Sequence, residues 1–321
     1  MASFPPRSPF PNDQYTVGWI CALPIELAAA QGMLDEEHGA PHTLQARIDG
    51  NSYLLGRIGR VKVVIVCLPA DYIGSVSAAI VARNMLHTFR GIRFCLLVGI
   101  GAGIPSDERD IRLGDVVISD GETSGGIVVH DFGKRVADGS FEHTNPRFNR
   151  KSSSLMSNAM SMLKTEHSRR QNYIQGYIDA MLQKSPRLLR FGFSRPAQST
   201  DRLFSTHYMH STGRTCDRCD PRKEVTRRRR YDEKPVVHYG VIATGGAVVK
   251  HAPTREHLRH KFSAICLEME AEGVIRSFPC IVIRGISDYA DSHKNDHWHP
   301  YAAAAAAGCA KELLGQVAPE R

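Results

Sequence analysis

Three stretches of this chain are apolar but for single basic residues, Lys62 and Arg284: VKVVIVCLP (61–69), FCLLVGI (94–100) and CIVIRGI (280–286). A strand with one wet face alternates apolar and polar side chains, so strands without alternation must be covered on both faces. Further strand-like runs are YTVGWICAL (15–23), GDVVISD (114–120), GGIVVHDFG (125–133) and HYGVIAT (238–244). Helix-like runs fall between them: IELAAAQGMLDEE (25–37), IGSVSAAIVARNMLHTF (73–89), a stretch near 152–163, LEMEAEGVIRSF (267–278) and PYAAAAAAGCAKELLGQV (300–317). The pattern predicts an α/β fold: a single three-layer domain over 15–317, its central mixed β-sheet flanked by helices.

Three segments fall outside this rhythm. Residues 1–14 are polar and Pro-rich and read as a disordered leader, and 318–321 as a short tail. Residues 164–234 are rich in Arg, Ser, Lys and Thr and read as a basic, partly looped insertion. Its TRRRRYD (226–232) has enough arginine to contact phosphates, but no interleaved aromatics or recognition motif accompany it. A solvated surface is the expectation, not a nucleic-acid arm. The same segment holds CDRC (216–219), which suits half a zinc site or a redox pair. The other half would have to come from His207, His210 or a distant residue. With no second C-x-x-C and no finger-spaced histidines, no metal is expected.

Composition narrows the class further. At 42% hydrophobic and 23% charged residues the chain is an ordinary globular protein, and its net charge of +8 permits anionic small molecules without requiring them. No apolar run approaches the ~20 residues that cross a bilayer, and no secretory signal opens the sequence. Six of the eight cysteines sit in or beside apolar or small-residue runs. A reduced, cytoplasmic protein without structural disulfides is expected.

Three stretches carry chemistry. In LVGIGAGIP (97–105), Gly99, Gly101 and Gly103 end an apolar strand, where glycines let backbone approach a ligand or merely make a tight turn. In LEMEAEG (267–273), Glu268 and Glu270 flank Met269. A carboxylate at such a strand-to-helix junction can accept both protons of a sugar diol, or simply complement the helix dipole. In RGISDYADSHKND (284–296), Asp288 lies just past a core strand, where open α/β sheets bind ligands. A carboxyl there can be a general acid, with Asp291 and His293 supporting it or lying on the surface.

The order of these stretches, glycine turn, then E-M-E-A, then R-x-I-S-D-x-A-D, resembles the nucleoside phosphorylase and nucleosidase superfamily, methylthioadenosine/S-adenosylhomocysteine nucleosidase in particular. ALPIE, LPADYIGSVSAA, RLGDVVIS, GGIVVHDFGK and HYGVIATGGAVVK further resemble fungal nucleoside phosphorylase-like domains, here expected as a stand-alone copy. The resemblance spans 15–316 and implies a phosphorylase/hydrolase-like fold. It casts Asp288 as the acid at purine N7, with Ser287 its neighbour. Glu270 would hold the ribose hydroxyls, Met269 would pack on the sugar, and Glu268 would be a nearby acid. Val249 and Val248 would meet the base, and Gly99, Gly101 and Gly103 would line the sugar. Glu26, in ALPIE, matches the glutamate that activates water, where the phosphorylases carry G-D-P-x-R. Departures are Ile100 and Ala102 in place of the glycine-turn serine, and Gly246 in place of an aspartate near the base. The implied reaction is hydrolysis of a purine N-glycosidic bond without metal or organic cofactor, in a homo-oligomer. A phosphorylase is the alternative, with phosphate as co-substrate held by the glycine turn and Arg57 or Arg284. Further alternatives are an AMP or ATP nucleosidase and a binding module without turnover.

Overall fold

The computed structural model describes residues 6–42, 49–70, 72–120, 126–144 and 153–317. Residues 1–5 of the expected leader and the 318–321 tail lie outside them. Ten strands form one mixed sheet, and two short ones, β8 (Gly133–Arg135) and β9 (Phe141–His143), pair separately. The centre of the large sheet is parallel. β1 (Val17–Cys21) lies between β4 (Val61–Cys67) and β5 (Phe94–Gly103), and β5 continues into parallel pairing with β12 (Cys280–Asp288). Both faces of β1 are buried throughout, as its unbroken apolar run demands.

Beyond β4 the sheet ends in two antiparallel strands, β3 (Tyr53–Ile58) and β2 (Glu36–Glu37). Neither was visible in the sequence reading: β2 is two residues long and lies where a helix is predicted. On the other side β12 meets β6 (Val116–Ser119), then β10 (Val237–Thr244), which also carries β7 (Ile127–Val129) and β11 (Ala264–Glu268). The sheet then curls, and β11 pairs back antiparallel onto the end of β5, Leu267 opposite Ala102. This closure brings the ends of β5, β11 and β12 to one place.

Helices flank the sheet. The alanine-rich α7 (His299–Gly315) lies against β12 and β5 together with α1 (Pro24–Gly32) and α4 (Ile174–Lys184). It comes so close that a Cβ on Gly285 would overlap the Ala302 carbonyl. Glycine is therefore required at that position. A second group packs α2 (Ser75–Thr88) on the short α6 (Ala271–Ile275), and α5 (Ala252–Phe262) covers β10 and β11.

The segment read as an insertion is more integral than expected. Its first part continues α3 (Ser154–Arg169) and forms α4, whose Ile174, Ile178 and Met181 are buried. Only the remainder is irregular, and it too contributes Phe193, Phe204 and Cys219 to the interior. Of the arginine run, Arg230 grips Asp115 at 2.6 and 2.7 Å, and Arg227 bonds the Tyr289 hydroxyl and Asp201. In the leader, residues 6–14 are also placed: Ser8 is buried and its hydroxyl lies 2.7 Å from that of Tyr15.

Candidate active site

The strand ends gathered by the sheet closure surround a cleft of about 780 Å³. Its lining includes Glu26, Gly101, Glu268, Met269, Glu270, Arg284, Ser287, Val248 and Val249. Most residues singled out in the sequence therefore converge on one cavity.

Glu26 sits in the first turn of α1 and is buried. Its Oε2 accepts the N–H groups of Ala22 (2.7 Å) and Leu23 (3.0 Å), and its Oε1 accepts that of Ile100 (2.8 Å). Each carboxylate oxygen takes two hydrogen bonds, so Oε1 keeps one lone pair for a ligand. Burial pushes the Glu26 carboxyl above the ordinary value, against the pull of Arg284 and these three N–H groups.

Arg284, on β12, is fully buried. Its Nη2 lies 2.5 Å from Glu268 Oε2 and 3.2 Å from Glu270 Oε2, and its Nη1 donates to the Ile100 carbonyl at 3.3 Å. Glu268 spends its remaining capacity on the N–H groups of Glu270 and Ala271 at the start of α6. It is held by the scaffold, with little left for a sugar. Glu270 is freer, and burial pushes its carboxyl up to about 7, with Arg284 opposing and Glu268 and Glu26 reinforcing. Three acids thus share one guanidinium in a dry site.

The glycines do not form the expected turn. Gly99, Gly101 and Gly103 all lie within β5, which runs on through Gly103. A Cβ on Gly99 would overlap the Glu26 carboxylate and lie 2.6 Å from Arg284 Nη1. Gly99 is therefore what leaves room for both the Glu26 carboxylate and the Arg284 guanidinium beside this strand. Gly101 borders the cleft, whereas Gly103 packs against Ile286 and Ile111.

Asp288 is placed differently from expectation. It is buried and does not border the main cleft. It lines a neighbouring cavity of about 940 Å³, and Ser287 and Lys294 line both. Its Oδ2 accepts Lys294 Nζ at 2.6 Å and Ser287 Oγ at 3.0 Å, and its Oδ1 accepts the Ala290 N–H at 2.9 Å. The last bond braces Ala290 in a left-handed conformation, φ 53°, which costs a non-glycine residue about 1 kcal/mol. Asp291 and His293, open between support and surface in the sequence, are both buried. Asp291 accepts the His293 N–H at 2.9 Å and lies 3.6 Å from Arg255.

Sequence reasoning missed Lys294, His130, His299 and Ile73, which all line the cleft. Lys294 was within reach, since it follows Asp288 in one loop. His130 and His299 come from the end of β7 and the start of α7, with no local pattern to mark them. Arg57, offered as a phosphate ligand, is on β3, paired with Glu36 at 3.0 Å and absent from the cleft lining. No helix among the described residues is long and apolar enough to cross a membrane.

Comparison with known proteins fits this geometry. The profile of the Phosphorylase superfamily matches residues 16–178. A nucleotide-binding leucine-rich repeat (NLR)-like protein of Hyaloscypha variabilis is 40% identical over 310 residues, covering 96% of this chain. The match spans only 30% of that relative's length. The 5′-methylthioadenosine/S-adenosylhomocysteine nucleosidase of Mycobacterium bovis is 25% identical over 304 residues, 93% of this chain and 95% of its own. Among solved structures, futalosine hydrolase of Helicobacter pylori superposes with a TM-score of 0.57 at 18% identity, covering 94% of this chain and 97% of its own. That likeness speaks to the fold.

Proposed function

The chain belongs to the phosphorylase superfamily, and from that premise we propose that it is a purine nucleosidase that cleaves the N-glycosidic bond with water. The observation that carries this reading is Glu26. Lining the cleft stands a buried carboxylate with one unfilled lone pair, among two further acids. Such a group repels phosphate and suits water, and its raised pKa makes it a stronger general base. The 25%-identical relative named as a nucleosidase supports the same choice.

In the proposed reaction the ribose lies against Met269 with its hydroxyls on Glu270, and the base lies toward Val248, Val249 and Ser287. The bond from C1′ to the base nitrogen lengthens, and its electron pair moves into the purine. A proton from the Asp288–Lys294 pair neutralises the base as it leaves. Water adds to C1′ and gives its proton to Glu26. The products are free purine and free sugar, and no metal or organic cofactor enters any step. Because Lys294 already neutralises Asp288, the donor is the pair, with the proton passing through whichever member faces the base.

A base-release assay tests the reading. Adenosine, inosine, guanosine, methylthioadenosine, AMP and ATP are each offered with and without phosphate. Purine released equally in both conditions, and lost in Glu26→Gln, is expected. Release that requires phosphate would replace the hydrolase with a phosphorylase, and no release from any substrate would leave a binding module.

A further inference from the structure

The C-x-x-C pair that stood alone in the sequence has a third member in the fold. One ring nitrogen of His210 and the sulfurs of Cys216 and Cys219 all lie within 4.8 Å of one another. The two cysteines flank a tight turn in which the Cys219 N–H bonds the Cys216 carbonyl at 3.0 Å. His210 is fixed from two sides. Its backbone N–H donates to Ser292 Oγ at 2.9 Å, and its Nε2 lies 3.1 Å from the Thr215 carbonyl. A proton on Nε2, donated to that carbonyl, leaves the Nδ1 lone pair free, which is how metal-binding histidines are commonly oriented. Arg202 braces the turn by donating to the Cys216 and Cys219 carbonyls, and Glu224 holds it there.

A second observation comes from His293. Its ring is buried, stacked on Phe204 at 4.1 Å and edge-on to His210 at 5.4 Å. Its Nδ1 lies 3.5 Å from the Asp291 carboxylate, and its Nε2 is a buried polar atom without a partner, a costly state that here stands beside two thiols and an imidazole. Its carbonyl lies 4.0 Å from Cys216 Sγ.

We infer that His210, Cys216 and Cys219 bind a zinc ion, with the buried His293 ring packed beside its ligands. Two thiolates and an imidazole are soft and borderline donors that select zinc over hard cations. Tetrahedral zinc with bonds of about 2.3 Å to sulfur and 2.0 Å to nitrogen sets its ligands roughly 3.5–3.8 Å apart, so the three need to close by about 1 Å. Side-chain rotation alone spans that. The ion would fix the irregular segment around Cys216, which His210 joins through Ser292 to the loop that follows β12 and carries Asp291 and Lys294. That segment and that loop share the walls of the second cavity. The site is independent of whether the cleft turns over a nucleoside.

The test uses the full chain, untagged and purified in a reducing buffer without chelator. Elemental analysis is expected to find close to one zinc per chain, falling to background in Cys219→Ser and His210→Ala. Co(II) exchanged into the wild type is expected to give thiolate-to-metal charge-transfer absorption, which needs no variant to fold. Three results would overturn the inference: wild type free of zinc that gives no such absorption with added Co(II); zinc retained in full by both variants; or a Cys216–Cys219 disulfide persisting in the reducing buffer, seen as a mass lower by two hydrogens.

Discussion

Replacing Glu270 with glutamine should stabilise the protein at the pH where it works while weakening catalysis. Burial raises this carboxyl from 4.5 to about 7. Such a group favours the folded state only while it is protonated. Its contribution is whole below pH 4.5 and is lost as pH rises through 7. At 1.36 kcal/mol per unit, the wild type forfeits about 3 kcal/mol by pH 8 that an amide of the same shape does not. Unfolding entropy of about 2.1 cal/mol/K per residue converts this to roughly 4 °C for a chain of 321 residues. Melting curves of both proteins from pH 5 to pH 8 should therefore coincide at the acid end and diverge toward the alkaline end, the variant melting higher. Base release by the variant should fall, since an amide cannot accept both ribose protons. A variant that melts lower than wild type at pH 8, or by a pH-independent margin, would refute the claim that three acids crowd one guanidinium.

Asp288→Asn should lower kcat by roughly 10²–10⁴-fold with little change in KM, the usual value of a positioned proton donor; steady-state base release measures both. Lys294→Met should also lower kcat with little change in Tm, whereas loss of a purely structural lysine would lower Tm and leave kcat in place; base release beside calorimetry checks this. Gly99→Ala should abolish turnover and lower Tm, because its methyl would displace Glu26 or Arg284; calorimetry beside the release assay separates the two effects. Nucleosides should exceed their 5′-monophosphates in kcat/KM by roughly 10-fold to 100-fold, the worth of about 1.5–3 kcal/mol for a charged hydrogen bond the cleft does not offer.

The core was legible because its signal is local. Largely apolar runs at 61–69, 94–100 and 280–286 give β4, β5 and β12, and the alanine run gives α7. The two-residue edge strand β2 and its half-exposed neighbour β3 escaped because such strands owe their pairing to their neighbours. Within the site, Glu270 and Asp288 stand out at strand ends and Glu26 through the family resemblance of ALPIE, but their roles depend on partners distant in sequence. Glu268 looked like a twin of Glu270, and only the fold assigns it to Arg284 and the start of α6. His210 could be paired with Cys216 and Cys219 only by a loop whose course no periodicity foretells.

The chain's positive charge has a structural destination, and this bears on what the cleft can hold. Arg202 is held by Glu224, Arg227 by Asp201, Arg230 by Asp115, and Arg255 lies between Glu256 and Asp291. Among the described residues that line the cleft, the lysine and arginine are Lys294 and Arg284, and each is already matched to a carboxylate. The two lining histidines, His130 and His299, are held below their ordinary pKa by burial, so both are neutral at pH 7. A phosphate placed there would lose its hydration and gain no free cation, while facing Glu26, Glu268 and Glu270. A neutral nucleoside meets no such cost, and its hydroxyls find acceptors. The distribution of charge, more than its total of +8, thus supports the proposed choice of a nucleoside and water over a nucleotide or phosphate.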